Sequence, residues 1–426
     1  MVAPVVPRVA LVLAGGGARG AYEVGVLLHL VQEVARDVGP LPIRILSGTS
    51  VGAINACAFA AGLDDPVASA SRLAQHWLDL RVTDVVQPSS RDAIGLVRTL
   101  VGRPSNSIPP PGERRGGLLD IRGLERIVRL AIPFDRIGAH QRSGLLDAVT
   151  VSATHVASGK TVVFVDRDGG PLPPWTPDAT VVPRSVEIGP DHVLASAAIP
   201  FVFPAVSVDD EMFCDGGLRQ NIPLSPARRL GASGLFAVNP RHVPSTMPSE
   251  PVAHAREAAA YGPLFLLGKA LNALLLDRID NDVDRLEHIN ALLDAGTRRF
   301  GPGFIDAINE ELGKAPGQGV RPLRTILLRS SQDIGAMSAA YVRSPLFAQR
   351  VGGMLGKIIR RIADGDAVSE ADFLSYVLFD GEFARQLIEL GRADARARHE
   401  EICAFFEEQR LHGAASRPTL RVAARS

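Results

Sequence analysis

The chain of 426 residues is long enough for one large domain or two ordinary ones, and its 46% hydrophobic and 22% charged residues are an ordinary globular composition. Lys plus Arg and Asp plus Glu number 46 each, so there is no net positive field, and no basic run is interleaved with aromatics; nucleic acid is not an expected partner. The three cysteines, Cys57, Cys214 and Cys403, form no CxxC pair and have no metal-ligand company, which points to a reducing, cytoplasmic setting without a disulfide framework.

Val9–Leu13 reads as a buried strand, and Pro4, Pro7 and Arg8 set the start of the chain apart from a cleaved leader. The strand flows into "AGGGARG" and then a helix over Ala18–Val38, with Tyr22, Val26, Leu30 and Val34 on one face. Ile43–Leu46 is a second strand, followed by "SGTSVG" and a small-residue helix over Val51–Ala61 that Gly62 stops. Strand, glycine turn and helix, occurring twice, predict α/β architecture with a mainly parallel sheet. Residues 85–117 are polar and Pro-rich and read as an exposed insertion, with a lid as the alternative. Asp120 is placed to cap a helix running to Leu130.

Val149–Thr154 and Thr161–Val165 form a predicted hairpin around Ser158-Gly159. "EMFCDGG" ends a further strand in a glycine turn, and Leu235–Asn239 and Thr325–Arg329 are two more buried strands. Helical patterns fill residues 251–311 and 346–410, so the strand between them returns the second half of the chain to the sheet. The expected organisation is a single domain over residues 8–400: a motif-bearing core at 8–240, helical additions at 241–400, and a loose tail at 411–426. Within the additions, Leu264–Ile279 carries nine large apolar residues over more than one helical face. It reads as a buried core helix, the alternative being a surface that lines an acyl channel or rests on lipid. No apolar run reaches the roughly 18 residues of a membrane span.

Chemistry concentrates in the two glycine turns. Gly15-x-Gly17-x-x-Gly20 has the spacing of a dinucleotide fingerprint, which wants an acidic residue at the end of the second strand. That strand instead ends in Ser47-Gly48-Thr49-Ser50, and Glu33 and Asp37 fall before it. Gly48-Thr49-Ser50-Val51-Gly52 is a Gly-x-Ser-x-Gly elbow, a sharp strand-to-helix turn that presents a serine at a helix N-terminus. If Ser50 is a nucleophile, the first loop becomes a source of oxyanion donors, the backbone N–H groups of Gly15, Gly16 and Gly17. Arg19 then braces the loop, with Gly20, Gly48 and Gly52 as supporting positions.

The base is less obvious. His29, His155 and His192 all lack a motif context. Two Asp-Gly-Gly triplets offer carboxylates. Asp168 lies in the polar, Pro-rich "DRDGGPLPP" and reads as a turn residue, whereas Asp215, before Gly216 and Gly217, closes a strand. An ordinary aspartate, with pKa about 3.9, is a weak base at neutral pH and needs desolvation to improve.

Together these segments resemble the patatin-like phospholipase family. "GGGARG" is similar to its oxyanion loop, "GTSVG" to its nucleophile elbow, "ASAAIPFVFP" to the segment before its last catalytic strand, and "DGG" with Asn221 and Pro223 to its acid motif. "FDGEFARQLIELGRADA" resembles the closing helix of bacterial members, while residues 241–378 depart from the shorter plant-type pattern. The resemblance implies a three-layer α/β/α fold and a Ser50–Asp215 dyad with no catalytic histidine and no metal or other cofactor. It implies hydrolysis of phospholipid, lysophospholipid or glyceride esters by a cytoplasmic protein in peripheral contact with a membrane or micelle. A nucleotide-binding module and a lipid-docking protein without turnover are the alternatives.

Overall fold

The computed structural model describes residues 7–85, 122–173, 175, 178–200, 202–243, 279–313, 319–352, 356–357, 359–360 and 370–415. Residues 86–117, Asp120, the Leu264–Arg278 part of the apolar segment and residues 416–426 therefore lie outside the described residues.

β1 (Val9–Leu13) leads through a 3-10 turn at Gly17–Arg19 into α1 (Gly20–His29). A π-type turn over Leu30–Val34 and a final turn over Ala35–Val38 extend that helix to the predicted end. Then come β2 (Ile43–Thr49), α2 (Val51–Ala60) and α3 (Pro66–Asp79), and, beyond the undescribed segment, α4 (Arg122–Ala131) and α5 (Asp135–Arg142). β3 (Ala148–His155), β4 (Thr161–Asp166), β5 (Val181–Ser185), α6 (Pro190–Ser196), β6 (Val206–Val208), β7 (Glu211–Asp215), α7 (Leu224–Arg229) and β8 (Gly234–Asn239) complete the motif-bearing core. The additions supply α8 (Ile279–Phe300), β9 (Arg324–Arg329), α9 (Ile334–Arg343), α10 (Glu370–Val377), α11 (Gly381–Ala397) and α12 (His399–Ala415). α12 thus carries the chain past residue 411, where the sequence pattern places a loose tail.

The nine strands form one sheet in the order β5-β4-β3-β2-β1-β8-β9, with β7 on β3 and β6 on β7. β3, β2, β1, β8 and β9 run parallel, and β4 and β7 are antiparallel to β3. β9 pairs with β8 from Gly234↔Arg324 to Asn239↔Arg329, which is the predicted return of the second half to the sheet.

Period-two alternation in β1 separates the layers. Val9, Leu11 and Leu13 join the larger core with α1, α2 and α11, whereas Ala10, Val12 and Ala14 face a smaller core with Leu224 and Ala227 of α7. Helices therefore cover both faces, giving the expected three-layer α/β/α arrangement. No described helix is long and apolar enough to cross a membrane.

α1 is buried on every side, not only along the Tyr22–Val34 stripe. The reason is α11, whose backbone crosses it at two glycines. A Cβ on Gly25 would lie 2.0 Å from the Ile388 carbonyl oxygen, and one on Gly391 2.0 Å from that of Tyr22. Gly25→Val and Gly391→Val should each lower the melting temperature, by the roughly 1–3 kcal/mol or more typical of overpacking. Gly303→Ala, where a Cβ meets nothing within 4 Å, should leave it nearly unchanged. Thermal denaturation of the three variants checks this.

Candidate active site

The register around β3 brings the two sequence motifs together. One edge of β3 is occupied by β4, so β2 and β7 share the other. Along that edge Ser152 faces Thr49, the last residue of β2, and Ala153 faces Asp215, the last residue of β7. Two strands running in opposite directions thus end at one point. Ser50 is the next residue after Thr49.

Ser50 sits at φ 55°, ψ −128°, in the left-handed half of backbone space that a residue with a side chain avoids. Its conformation is over-determined by its surroundings. The Ser50 N–H donates to Ser196 Oγ (2.8 Å), and Ser196 Oγ donates to the Ser152 carbonyl (2.6 Å). Gly52 lies against the end of β1, where a Cβ would come within 2.4 Å of the Leu13 carbonyl oxygen. A Cβ on Gly48 would be 2.4 Å from the Gly52 carbonyl oxygen, so the predicted strand end at Leu46 gives way to a strand that continues through small residues to Thr49.

Ser50 Oγ donates to Asp215 Oδ2 at 2.5 Å. The other carboxylate oxygen accepts from the Gly217 N–H at 2.7 Å, the Asp215 N–H donates to the Ala198 carbonyl, and the Asp215 carbonyl accepts from Thr154 Oγ1. Asp215 is wholly buried, and that burial raises its pKa to about 7 against the opposing pull of the Ser50 and Gly217 hydrogen bonds. A Cβ on Gly216 would strike the Ser152 carbonyl oxygen at 2.1 Å, so this turn lies directly on β3.

The glycine loop lies over the pair. A Cβ on Gly15 would be 3.2 Å from Ser50 Cβ. The loop corrects one of the expected donors: the Gly15 N–H already donates to the Asn221 carbonyl (3.1 Å), which ties the loop to the segment after Asp215. The Gly16 and Gly17 N–H groups donate to no protein acceptor among the described residues. Arg19 is turned away from Ser50. Its Nε donates to Ser375 Oγ (2.8 Å) and its guanidinium lies 4.2 Å from the Tyr376 ring centroid, both on α10. Gly17, at φ 56°, has the Tyr376 carbonyl oxygen where a Cβ would project.

Behind the elbow, Asn55 of α2 donates to Glu23 Oε2 (2.8 Å) and the Gly20 carbonyl, and its Oδ1 accepts from Trp77 Nε1 (3.0 Å). Burial raises the Glu23 pKa well above the usual carboxylate range. This network links α1, α2 and α3.

The other titratable candidates are elsewhere. Asp168 is exposed in the β4–β5 connection. His29 is 3.0 Å from His399, His155 is paired with Ser158 at the hairpin turn, and His192 Nδ1 accepts from the Gly189 N–H. Among the described residues no group of three or more His, Cys, Asp or Glu could hold a metal ion. Against a dinucleotide site, β2 ends in Thr49 with no ribose-binding carboxylate. Ser196 is the site residue that motif reading passed over. It lies inside the quoted "ASAAIPFVFP", but only the fold aims its hydroxyl at the elbow.

A family model described as patatin-like phospholipase matches residues 11–228. Two relatives, each described as an uncharacterized NTE family protein, from Mycobacterium bovis and Mycobacterium tuberculosis, are 30% identical over 234 residues, 55% of this chain and 49% of theirs. The chain thus spans about half the length of these relatives. The human GIVD cytosolic phospholipase A2 in complex with methyl gamma-linolenyl fluorophosphonate aligns with 96% of this chain and 60% of its own, at 13% identity and a TM-score of 0.36.

The raised Asp215 pKa has a consequence for stability. Between pH 3.8, its unperturbed value, and about 7, the native protein keeps a proton that the unfolded chain loses. Stability should therefore fall as pH rises across that window, by on the order of a few kcal/mol from this group. Asp215→Asn should flatten the slope and gain on the native protein at pH 8 relative to pH 5. Denaturant titrations at the two pH values measure it, and parallel behaviour of the two proteins would contradict the assignment.

Proposed function

The chain belongs to the patatin-like phospholipase family, and on that premise we propose that it is a serine acyl-ester hydrolase whose nucleophile is Ser50 and whose base is Asp215. The observation that carries the proposal is the buried 2.5 Å hydrogen bond from Ser50 Oγ to Asp215 Oδ2 at a strained elbow.

In this reading Asp215 accepts the Ser50 proton as Oγ attacks the ester carbonyl, and a pKa near 7 makes it a far better base than an exposed aspartate. The tetrahedral intermediate places its negative oxygen under the glycine loop, where the Gly16 and Gly17 N–H groups are the donors. Ser50's own N–H is held by Ser196 and does not contribute. Asp215 then returns the proton to the departing alcohol. Water, deprotonated by the same carboxylate, releases the fatty acid from the acyl-serine. No step needs a metal or a cofactor. The substrates proposed are phospholipids, lysophospholipids or glycerides, met by reversible peripheral contact with a membrane or micelle surface.

Ser50→Ala and Asp215→Asn should each reduce ester turnover by about a thousandfold or more with the fold retained, whereas Asp168→Asn should turn over like the native protein. Steady-state kinetics on a soluble ester separates these outcomes, and loss on Asp168→Asn with survival on Asp215→Asn would assign the other carboxylate. Gly16→Ala keeps the N–H, but its Cβ would crowd Pro240 Cγ at 3.1 Å and shift the donor, which should lower kcat by about a hundredfold with KM little changed because the donor acts mainly in the transition state. An unchanged kcat in the folded variant would remove the loop from the oxyanion site.

A further inference from the structure

The glycine loop meets the nucleophile elbow at both of its ends. A Cβ on Gly15 would lie 3.2 Å from Ser50 Cβ, and one on Gly20 would lie 2.5 Å from Val51 Cγ2. The Gly16 and Gly17 N–H groups are carried between these two contacts. Beside the second contact is a polar clasp. Val51 and Asn55 stand at positions i and i+4 of α2 and so share the face that meets the start of α1. Asn55 is wholly buried. Its Nδ2 donates to the Gly20 carbonyl (3.0 Å) and to Glu23 Oε2 (2.8 Å), and its Oδ1 accepts from Trp77 Nε1 (3.0 Å). The indole nitrogen can only donate, which fixes the Asn55 amide in this orientation.

We propose that Asn55 is a positioning residue for ester hydrolysis: it clamps the start of α1 to the helix that follows Ser50 and so sets the Gly16 and Gly17 N–H groups against Ser50 Oγ. The inference rests on the ester-hydrolase reading of Ser50 and adds the side chain that holds the two halves of that site together. Two observations argue for this role over packing alone. The Gly20 carbonyl belongs to the first residue of α1, directly after the Gly17–Arg19 turn, so a displacement there passes straight into the loop. The Glu23 carboxyl, also wholly buried, faces both Asn55 and the backbone of Ala14, the residue before Gly15. The clasp therefore reaches the loop from both ends. Catalytic groups displaced by about 1 Å can lose on the order of a hundredfold in rate, so a tie remote from the substrate can still set turnover.

Asn55→Ala removes the clasp, and Asn55→Asp keeps its shape and the Trp77 bond but can donate at most one of its two hydrogen bonds. Each should lower kcat on a soluble ester by about ten- to a hundredfold with KM little changed. Trp77→Phe breaks only the bond to Oδ1 and leaves both Asn55 N–H bonds, so it should lower the melting temperature and keep kcat. Two further readouts separate positioning from lost packing. The preference for an ester over its thionoester, whose sulfur accepts hydrogen bonds poorly, should fall with kcat in the Asn55 variants. Adding Gly16→Ala to Asn55→Ala should cost little beyond either change alone, because both disturb the same donors. Native turnover in both Asn55 variants, an equal loss of kcat in Trp77→Phe, an unchanged ester-to-thionoester ratio, or full additivity with Gly16→Ala would overturn the positioning role and leave Ser50 as the nucleophile. A native protein that hydrolyses neither ester nor thionoester would reject the hydrolase reading itself, and the positioning role with it.

Discussion

The contact between Ser50 and Asp215 depends on β3. Because β4 covers one edge of that strand, β2 and β7 must share the other, and the handover falls between Ser152 and Ala153. A change of one residue in either register would turn Ser50 or Asp215 to the other face of the sheet. The chain secures the handover with hydrogen bonds from both sides: Thr154 to the Asp215 carbonyl, and Ser196 between the Ser50 amide and the Ser152 carbonyl. A positive-φ serine and a fully buried carboxyl are both unfavourable in isolation. Each persists because the same strand fixes its backbone.

The glycines follow from this geometry. Three of them allow close approach: Gly48 and Gly52 let β1, β2 and α2 converge at the elbow, and Gly216 lets the acid turn rest on β3. Gly17 instead adopts a backbone angle that a side chain would resist, with α10 pressed against it. The Gly15–Gly17 loop is thereby supported from the C-terminal half of the chain, through Arg19 on Ser375 and Tyr376. The helical additions are a structural part of the site as well as an appendage to the core. The fully buried α1, held between the sheet and α11, transmits the same support from below.

Much of this was legible in the sequence because it is local. β1 is found at its predicted bounds, the elbow falls between a strand and a helix, and the contrast between the two Asp-Gly-Gly triplets survives: Asp168 is exposed in a connection, while Asp215 ends a strand in the interior. What was not legible depends on contacts distant in the chain. Nothing near Gly15 indicates that its amide is taken by Asn221, 206 residues later, so three loop amides looked equivalent when only two are unengaged. Nothing near Ser196 indicates that its hydroxyl meets the elbow. The strand β2 was expected to stop at Leu46 because Ser-Gly-Thr reads as a turn; pairing with β1 and β3 on both sides carries it to Thr49.

Asp215 is proposed to ionise near neutrality and to activate Ser50. Covalent labelling with a soluble alkyl fluorophosphonate, followed by peptide mapping across a pH series, tests both halves at once. A single adduct on Ser50 is expected, formed at a rate that rises with pH through a midpoint near 7 as Asp215 loses its proton, and scarcely formed in Asp215→Asn. An adduct on another residue, or an Asp215→Asn protein labelled on Ser50 at the native rate, would contradict it.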